Sequence, residues 1–182
     1  MRVLMTVQPG YGHLHPVVPL ARALLDLGHD VRVGTSPSFA PAVRAAGLIA
    51  VPVGVNWTMS AATTTFPELR EHSGVAGKAF MLSAIFCERT AAATACDVIS
   101  LARTWRPDLL VRETWELGGG IAARVLKVPC GVYGIGPYRN SADVLAAGEP
   151  QLAELATDYR IGAPREWVDG DFYLDSCPPL LD

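Results

Sequence analysis

The sequence predicts an α/β fold, a doubly wound parallel sheet of the Rossmann-like type. Three observations carry that reading. Its strand candidates are short and almost continuously apolar, as strands covered on both faces are. They alternate with segments whose apolar residues recur at i, i+3, i+4 and i+7, the helical spacing. Glycines stand where those helical segments stop.

The first apolar run, Val3–Val7, halts at Pro9-Gly10. A helix follows, with Leu14, Val17, Val18, Ala21, Leu24 and Leu25 on one stripe and Gly28 at its stop. Asp30–Thr35 reads as the second strand, Pro37–Ala46 as a helix ended by Gly47, and Leu48–Val53 as the third strand. Gly54–Gly77 then breaks the rhythm: Asn56, Trp57, Met59, the three threonines 63–65, Phe66, Pro67 and His72 show no period. Loops of that length are usually functional or disordered. A long helix is predicted over Lys78–Trp105, with Phe80, Ala84, Cys87, Ala91, Val98 and Leu101 among its apolar positions. Pro107 precedes a fourth strand, Leu109–Val111, which runs out into Arg112-Glu113-Thr114-Trp115-Glu116. Gly118-Gly119-Gly120 opens a helix to Leu126, and Cys130–Ile135 is a fifth strand stopped by Gly136-Pro137. A helix over Ala142–Tyr159 follows. The tail holds one short strand candidate, Phe172-Tyr173-Leu174, before Pro178-Pro179.

The bulk numbers narrow the function. A chain of 182 residues, half of them hydrophobic, suits one domain with a sizeable core and excludes a disordered chain. A net charge of −3 gives no support to a nucleic-acid surface. Cys87, Cys96, Cys130 and Cys177 lack metal-ligand spacing, so no metal site is expected, and a reducing cytoplasm with free thiols is the plain expectation. No apolar stretch approaches a membrane span, and the first run is too short for a signal peptide.

The chemistry is expected where the topology changes direction. In a doubly wound sheet of order 3-2-1-4-5, strands one and four are neighbours, and ligands bind beyond their carboxyl ends. His13 lies just past the end of strand one and Glu113 at the end of strand four, so topology alone brings an imidazole and a carboxylate to one crevice. A carboxylate on one ring nitrogen fixes the tautomer and raises the basicity of the other, making a base for a bound hydroxyl. Glu116 is a rival one helical turn on, and Arg112 or Arg139 offers the carboxylate a purely structural partner. Gly10 and Gly12 shape a turn at a helix N-terminus, a place suited to anions. His15 on the first helical turn and His29 at a helix-to-strand junction read as structural, and His72 as solvated. A dinucleotide site fits poorly: Gly10-Tyr11-Gly12-His13-Leu14-His15 has His15 where the third glycine belongs, and Gly34-Thr35-Ser36 ends the second strand without an acid.

Pro9-Gly10-Tyr11-Gly12-His13-Leu14-His15-Pro16-Val17-Val18-Pro19-Leu20-Ala21, with Leu27-Gly28-His29-Asp30-Val31, resembles the opening of a GT-B fold family 1 glycosyltransferase. Arg106-Pro107-Asp108-Leu109-Leu110-Val111-Arg112-Glu113, Gly119-Gly120-Ile121-Ala122-Ala123-Arg124 and Val128-Pro129 are similar to a matching segment later in the same N-terminal domain. The likeness is to bacterial enzymes that glycosylate polyketide-type natural products. It implies an inverting, metal-independent transfer from a TDP- or UDP-sugar co-substrate, with His13 as base and Glu113 as its partner, where the family often has aspartate. It also implies a large apolar acceptor held by Trp57, Met59, Phe66, Phe80, Met81 and Trp115. The family's nucleotide-sugar site belongs mainly to a C-terminal domain, which is expected in cis or in trans; residues 1–182 read as the acceptor half alone, inactive by itself and open to homodimer formation through a face that the second domain covers. A non-catalytic small-molecule or protein-binding module, and one subunit of a split glycosyltransferase, are alternatives from the same residues.

Overall fold

The computed structural model describes residues 1–136 and 141–176; Pro137, Arg139, Cys177 and Pro178-Pro179 lie outside them. Six parallel strands form one sheet of order β3-β2-β1-β4-β5-β6. They are β1 (Arg2–Thr6), β2 (Asp30–Thr35), β3 (Ile49–Pro52), β4 (Leu109–Glu113), β5 (Cys130–Tyr133) and β6 (Phe172–Leu174). The inner order is the expected 3-2-1-4-5, and the short tail strand adds in parallel beside β5.

Alternation along β1 sends side chains to two separate cores. Val3 and Met5 pack with Val31, Val33 and the inner stripe of α1 (Tyr11–Asp26), namely Leu14, Val17 and Ala21. Leu4 faces the other way, joining Leu110, Val98, Trp105, Ala122 and Ala123. The helix α2 (Ala40–Ala45) is shorter at both ends than Pro37–Ala46, because residues 37–39 form a turn in which the Phe39 and Ala40 amides bond the Ser36 carbonyl.

The long aperiodic segment is folded. Short turns at Met59–Ala61 and Pro67–Glu71 flank α3 (Ala62–Thr65) and close over Trp57, Phe66 and Leu69. The long helix begins at Gly74, four residues before its expected start. It runs as α4 (Gly74–Phe80), a wide π-helical stretch (Met81–Thr90) and α5 (Ala91–Trp105). Such widened stretches are rare and concentrate at functional sites.

The helix α6 (Gly118–Leu126) follows β4, and its three opening glycines leave room for close neighbours. A Cβ on Gly118 would come within 2.6 Å of the Ala91 carbonyl oxygen, and one on Gly119 within 2.4 Å of Thr6 Oγ1. The last helix, α7 (Ser141–Asp158), is kinked at Gly148, where a Cβ would meet Cys87 at 2.6 Å. Cys87 is thereby sealed in the core, and burial pushes its thiol up to about 12, so it is an inert packing residue. Among the described residues no helix is long and apolar enough to cross a membrane.

Candidate active site

The turn between β1 and α1 fixes His13. The Gly10 carbonyl accepts the amides of His13 (3.0 Å) and Leu14 (2.9 Å), closing the first helical turn. Gly10 is glycine for want of space: a Cβ there would lie 2.7 Å from Met59 Cγ and 3.3 Å from His13 Cδ2. The Met59 amide bonds the Pro9 carbonyl at 2.9 Å, so the folded loop is tied to the same turn. Gly12 is exposed, with nothing within 4 Å of a Cβ built on it.

From the neighbouring strand, Glu113 reaches the imidazole. His13 Nδ1 and Glu113 Oε1 are 2.9 Å apart. The Glu113 side chain is wholly buried, whereas that of His13 retains 15% exposure. Its oxygens also accept the amides of Gln8 (3.3 Å to Oε1) and Trp115 (2.8 Å to Oε2), so the carboxylate is held on three sides. A carboxylate only accepts, so Nδ1 carries the proton and neutral His13 keeps its lone pair on Nε2. Burial alone would depress the His13 pKa, but the Glu113 charge and hydrogen bond outweigh it, and the net shift is upward from 6.5.

Glu116 has a different task. Its oxygens accept the amides of Gly118 and Gly119, both at 2.9 Å, closing the start of α6. Fully buried, its carboxyl is raised in pKa chiefly by desolvation. Arg112 is also buried and points away from Glu113: it donates to the carbonyls of Glu113 (3.2 Å), Thr114 (2.9 Å) and Val168, bracing the backbone that presents the carboxylate. Among the described residues, no three His, Cys, Asp or Glu side chains gather as a metal site.

His13 opens onto a cleft of about 540 Å³. Of the residues expected to hold an acceptor, Met59, Met81 and Trp115 line it beside His13. Trp57 and Phe66 are buried instead, with ring centroids 5.2 Å apart, and support the wall from behind. Phe80 stacks on His72 at 4.5 Å, outside the lining, so His72 is less free than a solvated loop histidine. His15 sits beside the exposed Tyr11 ring (5.3 Å), and His29 Nδ1 lies 3.3 Å from the N-terminal amine. The sequence reading missed Lys78, Leu82, Phe86, Thr114 and Ile135, which also line it, and Gln8. Phe86 meets the His13 ring edge-on, with centroids 6.0 Å apart. Buried Gln8 donates from its side chain to Thr90 Oγ1 (2.9 Å) and the Trp115 carbonyl (3.0 Å), locking the wide helix to the turn after β4. The spacing of Leu82 and Phe86, four residues apart on the predicted helix, was the available signal.

Comparison with known proteins agrees with this architecture. Curated relatives include the TDP-daunosamine transferase of Streptomyces peucetius, 35% identical over 143 residues, covering 69% of this chain and 33% of that protein. The 10-deoxymethynolide desosaminyltransferase of Streptomyces venezuelae is 29% identical and covers all of this chain and 50% of its own. The chain thus spans a third to a half of the curated relatives it matches. Among solved structures, a glycosyltransferase of Streptomyces sp. SF2575 superposes with a TM-score of 0.79 at 27% identity, over 100% of this chain and 52% of that one. The relatives are natural-product glycosyltransferases, and the structural neighbours are GT-B enzymes. A profile described as the erythromycin biosynthesis protein CIII-like N-terminal domain matches residues 22–181, and the chain belongs to that family.

Proposed function

We propose that this chain is the acceptor-binding half of an inverting glycosyltransferase. It would pass a sugar from a nucleotide diphosphate to a hydroxyl of a large hydrophobic natural product of the polyketide type. One observation carries the reading: a histidine whose Nδ1 is committed to a buried carboxylate at 2.9 Å stands at an apolar cleft of about 540 Å³. Met59, Met81, Leu82, Phe86, Trp115 and Ile135 suit a flat apolar acceptor. The free Nε2 takes the acceptor proton as the hydroxyl oxygen attacks the anomeric carbon, and the nucleotide diphosphate leaves from the opposite face. Glu113 keeps the ring oriented and stabilises the imidazolium that forms.

The nucleotide-sugar belongs, in this reading, to a second half in cis or in trans, since the matched relatives are two to three times longer than this chain. The TDP of the TDP-daunosamine transferase and of a solved relative bound to DTDP supports a TDP-sugar donor. Transfer by this polypeptide alone is therefore not expected, because the diphosphate would lack most of its stabilisation. The test is sugar transfer to a polyketide aglycone with and without a supplied donor-binding half from a relative. Activity only in the combined sample is expected; transfer by the isolated chain would overturn the division of labour, and an unaffected His13→Ala in the combined enzyme would overturn the base.

A further inference from the structure

The cleft is apolar along its walls but not electrically uniform. Among the described residues Lys78 is the one cation in its lining, exposed on α4 and with no carboxylate within ion-pair distance. The other charge sits at the opposite end. Glu113, behind His13, is wholly buried and holds the imidazole, while the nearby buried Arg112 guanidinium is committed to backbone carbonyls. Lys78, Leu82 and Phe86 come at four-residue intervals along this helix and all line the cleft, and Phe86 meets the His13 ring edge-on. Eight residues of helix, partly widened, set the Lys78 backbone at most about 12 Å along the helix from Phe86.

Resting on the acceptor-cleft reading above, we infer that this cleft selects an acceptor carrying a carboxylate at the end remote from the hydroxyl that is glycosylated, with Lys78 as the residue that recognises it. At the His13 end Glu113 already holds Nδ1, and Nε2 is kept for the hydroxyl. An anion at the Lys78 end gains an ammonium that has no carboxylate partner among the described residues. Lys78 and Nε2 together orient the acceptor: acid toward Lys78, alcohol toward Nε2. A spacing of about 12 Å or less suits a body of two or three fused rings, for which Met81, Leu82 and Trp115 supply apolar lining.

The test uses danthron, a dihydroxyanthraquinone, and rhein, the same ring system with one added carboxylate, titrated calorimetrically into the chain at neutral pH. Rhein should bind about fivefold tighter than danthron, the upper range for a partly exposed pair, and the advantage should shrink at high salt. Lys78→Met should abolish the preference, so that rhein and danthron bind equally; Lys78→Arg should retain most of it. Circular dichroism checks that the variants fold, which an exposed lysine permits. Equal binding of both ligands to the unaltered chain, or a preference that survives in Lys78→Met, overturns the inference and leaves the acceptor cleft standing. Failure of both ligands to bind overturns the cleft reading itself, and this inference with it.

Discussion

Replacing Glu113 by glutamine removes one charge from beneath His13 and almost no volume. The burial that depresses the imidazole pKa stays, whereas the charge and the charge-assisted hydrogen bond that outweigh it disappear. The pKa should therefore fall from above 6.5 to below it. A hydrogen bond to a charged group contributes about 1.5–3 kcal/mol, so a weaker, less well-oriented base should cost roughly 10- to 100-fold in turnover once a donor half is supplied. The glutamine also places an NH₂ near the Trp115 or Gln8 amide, which now donate to the carboxylate, and should cost about 1–3 kcal/mol of stability. Linkage fixes the sign of the pH dependence. A folded-state pKa raised above 6.5 means that protonated His13 stabilises the native state below pH 6.5, a contribution lost as pH rises through the folded pKa. Glu113→Gln should reverse that slope. The assay is an NMR titration of the four imidazoles, with His13 assigned by its loss in His13→Ala, alongside urea midpoints across the same pH range. An unchanged or higher His13 pKa in the variant would refute the electrostatic account of the pair.

Other substitutions probe separate parts of the argument. His13→Ala in a two-half enzyme should lower turnover by about 10²–10⁴ while circular dichroism stays native, as for loss of a general base. Gly10→Ala should destabilise by about 1–3 kcal/mol in urea, since its methyl must displace Met59; Gly12→Ala, in open space on a helix, should be neutral or stabilising by up to about 1 kcal/mol. Phe66→Ala should lower stability by about 3–5 kcal/mol, the loss expected of a core aromatic, and measuring it by denaturation separates a buried support from a simple acceptor contact.

Much of this arrangement was legible in the sequence, for identifiable reasons. The order 3-2-1-4-5 follows from short apolar strands alternating with helical stripes, and His13 meets Glu113 because that order makes the ends of β1 and β4 neighbours. Distinguishing Glu113 from Glu116 needed the structure, in which Glu113 holds His13 Nδ1 and Glu116 closes the start of α6. Trp57 and Phe66 defeated the reading because an aperiodic loop gives no inward face, and bulky residues there proved to be the loop's own core. The helix start at Gly74 was hidden by Gly74 and Gly77, which look like breakers, and nothing in composition marks a widened π stretch. Gln8 was passed over because a polar residue ending a strand usually meets solvent.

The glycine-opened start of α6 has a consequence for anyone reshaping acceptor choice. At Gly118 an added methyl would push on the Ala91 main chain, and at Gly119 on the Thr6 hydroxyl and through it on the strand that leads to His13. That side of the fold is closed to gradual tailoring. On the proposed acceptor reading, diversity is easier to place on the facing side, where Lys78, Met81 and Leu82 present side chains from a helix, so libraries concentrated there should alter selectivity while leaving the His13 turn intact.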